Sequence, residues 1–191
     1  MPGTTHGEQL RMAMRRVPSA VTVVTVAGAD EVRGITIGSF TSVSLDPPLI
    51  SFNVALDAQA HDLLVGADHF AVHILADEQA HLSNHFAEKD RTSEEQFASI
   101  PHRLDASGTP ILEDVLAVFF CTHYAVFPVG DHSLLVGEVV HIDQGRSRTP
   151  LVYYERRYHS VGGEVQDQEA ASVNRFSSGT PYAPAPKKAK S

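Results

Sequence analysis

Between Gly34 and Val54 the chain reads GITIGSFTSVSLDPPLISFNV, and its apolar residues change phase midway. Ile35 and Ile37 fall on odd positions, Phe40 on an even one, and Val43 and Leu45 on odd positions again. A strand buries every second side chain, so one buried face cannot persist through Gly38-Ser39-Phe40, and a bulge or bend is expected there. Pro47-Pro48 excludes an ordinary central-strand ladder at that point. Leu49–Val54 then resumes as a strand. A segment of this kind fits a sheet whose strands follow one another through bends and short turns.

The rest of the chain has the same character. EQLRMAMRRV carries Leu10, Met14 and Val17 at helical spacing and predicts a short amphipathic helix that Pro18 ends or redirects. Ala20–Val26 (AVTVVTV) is rich in β-branched residues and reads as a buried strand. AHDLLVGA predicts a short helix ending at Gly66, and HFAVHIL (His69–Leu75) a further strand. Asp77–Asp90 reads as a helix, with Asp77 as N-cap and Leu82 and Phe86 on one face. VLAVFFCTHY and SLLVGEVVHI are long strands joined by AVFPVGDH, with loops at Gly108-Thr109-Pro110 and Gly145–Pro150. LVYYERRYHSV is a last strand or strand pair. From Gly162 the chain becomes polar and small, a composition expected of a disordered or loosely attached tail. About seven strands with two or three short helices, strand following strand, predict an antiparallel barrel rather than a doubly wound sheet.

Composition narrows the function. The 191 residues suit one domain, and the net charge of −8 does not favour a nucleic-acid backbone or an anionic membrane as partner. The single Cys121 excludes an internal disulfide and fits a reducing compartment. With no apolar leader and no run near the ~20 apolar residues of a membrane span, the expectation is a cytoplasmic protein. There is no dinucleotide-binding G-x-G-x-x-G after a strand, no phosphate-binding G-x-x-x-x-G-K-[ST] and no G-x-S-x-G elbow. His81 and His85 lie four apart on a helix, and His69 and His73 alternate in a strand, but neither pair has an evident third ligand, so surface or structural roles are expected and no metal.

Two segments are better candidates for chemistry. Ser39, Thr41, Ser42 and Ser44 crowd four hydroxyls beside a buried strand, and no Lys or Arg occurs between Arg33 and Lys89. An anionic ligand on this half of the chain must use hydroxyls and the concave N–H groups of Gly- and Ser-rich bends. A flat heterocycle edged with carbonyl and N–H groups also suits such a bend. These residues can equally be ordinary strand and turn hydroxyls. In Gly130-Asp131-His132 a turn places an imidazole at a barrel rim, where it can donate, carry charge or stack.

In order, PSAVTVVTV, GITIGSFTSVSLDPPLISFNV, HFAVHIL with LSNHFA, GTPIL, VGDH with LLVGEV, and PLVYYERRYHSV resemble the short-chain flavin reductases, over roughly Leu10 to Val161. These are FMN-binding split-barrel proteins that supply reduced flavin to two-component monooxygenases. The resemblance implies a mainly β, antiparallel split barrel of Greek-key type over residues 8–161. It implies an NAD(P)H:flavin oxidoreductase, using FMN or FAD with NADH as the favoured co-substrate, and a homodimer with a partner monooxygenase. Thr36, Ile37, Gly38, Ser39, Thr41 and Ser42 would line the flavin, with Ala55 and Gln59 covering its other side, and His132 oriented by Asp131 would serve the catalytic step. Gly38 stands where the family often has Ser. The loop LDAQAHD replaces a Ser/Lys/Thr-rich phosphate loop, and its Asp57 would repel a phosphate, which leaves Lys89 or Arg91 to supply positive charge. This loop favours exchangeable flavin. The alternatives are an oxidoreductase with prosthetic FMN acting on a small organic substrate, and a non-catalytic flavin carrier of the same fold.

Overall fold

The computed structural model describes residues 5–146 and 148–163. From residue 164 onward the expected polar tail lies outside the described residues.

The first helix, α1 (His6–Met14), opens with a capping box in which Thr5 and Glu8 satisfy each other's backbone N–H groups. It buries no residue, so its Leu10 and Met14 stripe faces solvent rather than a core. Seven strands form the main sheet: β2 (Thr22–Ala27), β3 (Val32–Ile37), β4 (Thr41–Leu45), β5 (Pro48–Ala55), β6 (His69–Ile74), β9 (Ala117–Val129) and β10 (His132–Gln144). Their order is β3-β2-β6-β9-β10-β5-β4, and every pairing is antiparallel.

That order dictates a barrel. β3 and β4 are the two outer strands, and laid flat they would stand about 29 Å apart at ~4.8 Å per strand. Only residues 38–40 join them, a connection that reaches at most ~14 Å. The sheet must therefore curl until its edges approach, with β3 and β4 left unpaired at the split. There the Ser39 Oγ accepts the Asn53 N–H at 2.9 Å and fastens the end of β3 to β5. The phase change between Ile37 and Val43 is this corner. At the β4–β5 turn the Asp46–Pro47 peptide is cis, and Leu45 pairs with Pro48.

β2 is buried on both faces because the barrel is filled inside and covered outside. Val24 and Val26 join Phe52, Phe70, Leu64 and Leu135 in one core cluster, with Phe52 and Phe70 edge to face at 5.4 Å. Val21 and Val23 point the other way, onto Leu82, Phe86 and Phe97 beneath α3 (Ala80–Ala87) and α4 (Ser93–Phe97). Gly137 lies in the wall because a Cβ there would come within 2.4 Å of the Phe70 ring.

Several elements differ from expectation. Asp77 is not a helix N-cap: Asp77–Gln79 is a 3₁₀ turn, Gln79 stands at the N-cap position of α3 without a side-chain capping bond, and the Asp77 carboxylate accepts the Ser160 hydroxyl at 2.6 Å. The helix ends at Ala87 rather than Asp90, whose φ of 70° lies in the left-handed region. The segment between α3 and the long strands, for which the sequence pattern predicts no element, contains α4, held by a Thr92–Glu95 capping box, and a small hairpin of β7 (His102–Leu104) and β8 (Pro110–Leu112). α2 (His61–Gly66) ends where predicted. The last segment is a strand pair, β11 (Leu151–Tyr154) and β12 (Arg157–Ser160), turned by Glu155 and Arg156 at positive φ and joined by the short β1 (Ser19–Ala20). Among the described residues no helix is long and apolar enough to cross a membrane.

Candidate functional site

A cleft of about 320 Å³ opens beside β3. Its floor is Arg33 to Thr36, one wall is the loop from Ala55 to Ala60, and the other is the end of α3 with the loop that follows it, Phe86 to Asp90. A missing side chain shapes this floor. A Cβ on Gly34 would come within 2.5 Å of the Phe86 ring, so only glycine lets α3 lie this close to the strand. Gln96 from α4 fastens the same point. Its side-chain oxygen accepts the Gly34 N–H at 3.1 Å and its side-chain nitrogen donates to the Gly34 carbonyl at 3.2 Å, continuing the sheet's hydrogen bonding with a side chain.

Of the predicted flavin-binding residues, the structure brings Thr36, Ala55 and Gln59 to the cleft. The Thr36 hydroxyl donates to the Ser83 carbonyl at 2.7 Å and so fixes α3 to β3. Ile37 is buried in the barrel core, and its carbonyl accepts the Thr22 hydroxyl at 2.9 Å. Gly38, Ser39, Thr41 and Ser42 are exposed on the corner and on edge strand β4 and do not line the cleft. Arg91 is turned away: its guanidinium pairs with Glu88, and its carbonyl accepts from Arg33 at 2.7 Å.

The cleft's positive charge comes from Lys89 and Arg33. Lys89 reaches across the mouth to Asp57 at 3.1 Å, both side chains mostly exposed, and offsets one of the three carboxylates, Asp57, Glu88 and Asp90, that line the cleft. Arg33 pairs with Glu31 at 3.0 Å. Arg33 and Lys89 are the two residues that bound the long stretch without Lys or Arg. Sequence reading marked that gap but had no signal that its ends meet. Gln96 was missed altogether, because the short helix carrying it lies in a segment with no apolar periodicity beyond its capping box.

The Gly130 turn stands beside the loop wall. Gly130 has φ of +61°, which the tight connection between two 13-residue strands requires. His132 pairs in register with Ala55, and the Asp131 carbonyl accepts the Leu56 N–H at 3.0 Å. His132 Nδ1 lies 2.7 Å from the Asp131 carboxylate. That hydrogen bond, helped by the charge of His132, holds the Asp131 carboxyl below its ordinary range. His132 does not line the cleft itself but begins the strand next to its wall.

The other singled-out histidines are placed by packing. His85 Nε2 lies 2.8 Å from the Gln96 carbonyl, His73 is fully buried, and His69 and His81 are exposed. The Cys121 thiol is buried, which pushes its pKa up to about 12.

Residues 14–162 match the flavin reductase like domain. The chain is 37% identical over 155 residues to an NADH:FMN oxidoreductase of Rhodococcus qingshengii, covering 78% of this chain and 79% of that one. Among solved structures it is similar to the Streptomyces globisporus NADH:FAD oxidoreductase in complex with NAD and FAD fragments, with a TM-score of 0.75, 33% identity, and 86% and 96% of the two chains covered. It is also similar to BorF, the flavin reductase component of a bacterial two-component tryptophan halogenase, with a TM-score of 0.76, 34% identity, and 83% and 99% covered. An antiparallel barrel split between β3 and β4, a cleft floored by glycine and rimmed by two cations, and these likenesses agree: the chain belongs to the flavin reductase family.

Proposed function

We propose that this chain is an NAD(P)H:flavin oxidoreductase that binds FMN or FAD in the cleft between β3, the 55–60 loop and the end of α3. The observation that carries the reading is the cleft itself. Its volume is that of a small-molecule site, its floor and loop wall are largely small and uncharged residues, and Arg33 and Lys89 in its lining offer positive charge to a phosphate-bearing tail. When both small molecules are bound, hydride passes from nicotinamide C4 to flavin N5, and the protein contributes orientation and electrostatics.

Ala55 and Gln59 contact the flavin directly, and Thr36 contributes its backbone and methyl group, its hydroxyl being held by the Ser83 carbonyl. Gly38, Ser39, Thr41 and Ser42, exposed at the corner, offer backbone groups to its rim, and Ile37 supports them from the core. Of the two cations expected to supply positive charge, Lys89 takes the role, since it lines the cleft and Arg91 does not. His132, held by Asp131, meets the nicotinamide and manages the proton that accompanies the hydride. The exposed Lys89–Asp57 pair makes a weak phosphate contact, which favours flavin that exchanges. Reduced flavin then leaves for a partner monooxygenase, as the naming of BorF as a component of a two-component system suggests.

The domain spans residues 8–161 and works as a cytoplasmic homodimer with NADH as the preferred donor. Exposed Val43, Leu45, Phe127 and Val129 give a second copy an apolar surface to cover. The test is NADH and NADPH oxidation at 340 nm with FMN, FAD or riboflavin added in turn, alongside light scattering for the dimer. Saturable turnover that depends on added flavin is expected. A protein that binds flavin but oxidises neither nucleotide overturns the reading.

A further inference from the structure

Asp62, His61 and Ser133 form a hydrogen-bonded chain that the reductase reading leaves unused. The Asp62 carboxylate lies 2.7 Å from His61 Nδ1, and His61 Nε2 lies 2.9 Å from Ser133 Oγ. The order is that of a hydrolytic triad, but the setting excludes one. Ser133 is 4% exposed and sits inside the β5–β10 ladder opposite Val54, where no acyl group can reach its hydroxyl. The carboxylate at the other end is fully exposed. Buried at the serine and open at the aspartate, the chain is built as a brace.

What it braces is the loop wall of the cleft. His61 is the first residue of α2, and the loop wall, Ala55 to Ala60, ends immediately before it. Ser133 follows His132 in β10. At its start the loop is tied to the same turn, through the Leu56 N–H and the Asp131 carbonyl. At its end the His61 side chain ties it to Ser133, beside the core packing of Ala60 and Leu64. An aspartate at Nδ1 favours the tautomer with its proton there, which leaves Nε2 to accept the Ser133 hydroxyl.

The geometry points to His61 as a positioning residue: its bond to Ser133 holds the 55–60 loop against β10 and fixes the loop wall for flavin. This rests on the reductase reading above. His61 does not line the cleft, so its effect falls on the population of the closed loop and hence on flavin affinity, not on the hydride step.

The experiment measures flavin affinity by fluorescence quenching, NADH oxidation at saturating flavin, and melting temperature, for wild type, His61→Ala, Ser133→Ala, the double variant and His61→Gln. Loss of one brace bond should weaken flavin binding roughly five- to tenfold in each single variant. The double variant should be no worse than either single, because both remove the same bond. His61→Gln, whose amide reaches the position of Nε2, should restore affinity, and kcat should stay within twofold throughout. Single variants with wild-type affinity, or losses that multiply in the double variant, overturn the brace while wild-type activity keeps the reductase reading. A wild-type protein without flavin binding or flavin-dependent turnover overturns both. If His61→Ala unfolds, the Ser133→Ala affinity and the His61→Gln rescue decide the matter.

Discussion

His73 makes acid stability a sharp test of this structure. It is fully buried on the outer face of β6 and bonded at both ring nitrogens: Nδ1 lies 3.0 Å from the Val23 carbonyl, and the Leu112 N–H points at Nε2 from 3.1 Å. A backbone N–H can only donate, so Nε2 carries no proton and Nδ1 donates to Val23. A second proton would be buried without solvation and would face the Leu112 N–H. Burial accordingly lowers the His73 pKa from 6.5 to about 4, with the Arg103 charge adding to the effect and the Val23 hydrogen bond opposing it. In the unfolded chain His73 titrates normally. Between pH 6.5 and 4 the unfolded state therefore binds more protons, and stability falls as pH falls. The whole interval corresponds to about 3 kcal/mol, of which about 2 kcal/mol is lost between pH 7 and 5. The assay is urea unfolding at pH 7, 6 and 5 for wild type and for His73→Gln, which keeps a donor and an acceptor but does not titrate here. His73→Gln will be less stable at pH 7, and its pH dependence should be shallower by about 2 kcal/mol over the two pH units. Parallel pH curves for the two proteins would refute the buried neutral imidazole.

Other perturbations probe the site. Gly34→Ala drives a methyl against the Phe86 ring; it should cost about 1–3 kcal/mol in denaturant unfolding and weaken flavin binding by deforming the cleft floor. Lys89→Ala should weaken FMN roughly two- to fivefold and leave riboflavin unchanged in the same titration, because only the phosphate meets the lysine. Arg91→Ala frees the Glu88 carboxylate in the cleft lining, so it should weaken FMN no more than Lys89→Ala does and leave riboflavin unchanged. His132→Ala should lower kcat/KM for NADH by about tenfold or more, read at 340 nm with saturating flavin. Cys121 should resist a thiol reagent at pH 7 until the protein is unfolded, since its thiolate is inaccessible and its pKa is near 12.

The strands were legible because each carries its own signal. Val23, Val24 and Val26 announce a buried strand without reference to anything else, and the phase change at Gly38-Ser39-Phe40 announces the barrel corner. Connections between distant segments carry no such signal. Nothing near Gly34 says that Phe86 and Gln96 press on it from 52 and 62 positions away. Lys89 could be named as a source of charge for the site, but nothing in the sequence distinguishes it from Arg91 as the residue that meets Asp57. Asp77 shows the converse error: it has the chemistry of an N-cap, but its carboxylate is taken by Ser160 from the far end of the chain, and the helix begins later. The short α4 and the β7–β8 hairpin were missed because they pack as attachments to β2, β3 and His73 and have no amphipathic period of their own.

The hydroxyls of the Gly34–Val54 stretch raise the last question, because the structure spends three of them on itself, Thr41 on the Ser42 carbonyl at 3.4 Å and two on longer-range bonds. Thr36 donates to the Ser83 carbonyl, and Ser39 accepts the Asn53 N–H, so both hold the barrel and its helix in register. Among the described residues the edge strand β4 pairs with β5 alone, so one side of its backbone faces outward from the sheet. On the proposed reading a flavin rim would be met chiefly by backbone, which a side-chain substitution does not remove. Thr36→Val keeps the shape and deletes one part-buried hydrogen bond, so it should cost about 1 kcal/mol in unfolding and move the flavin Kd less than twofold. The reverse, unchanged stability with flavin binding lost, would return the Thr36 hydroxyl to the role of ligand and show that the bond to Ser83 gives way when flavin arrives.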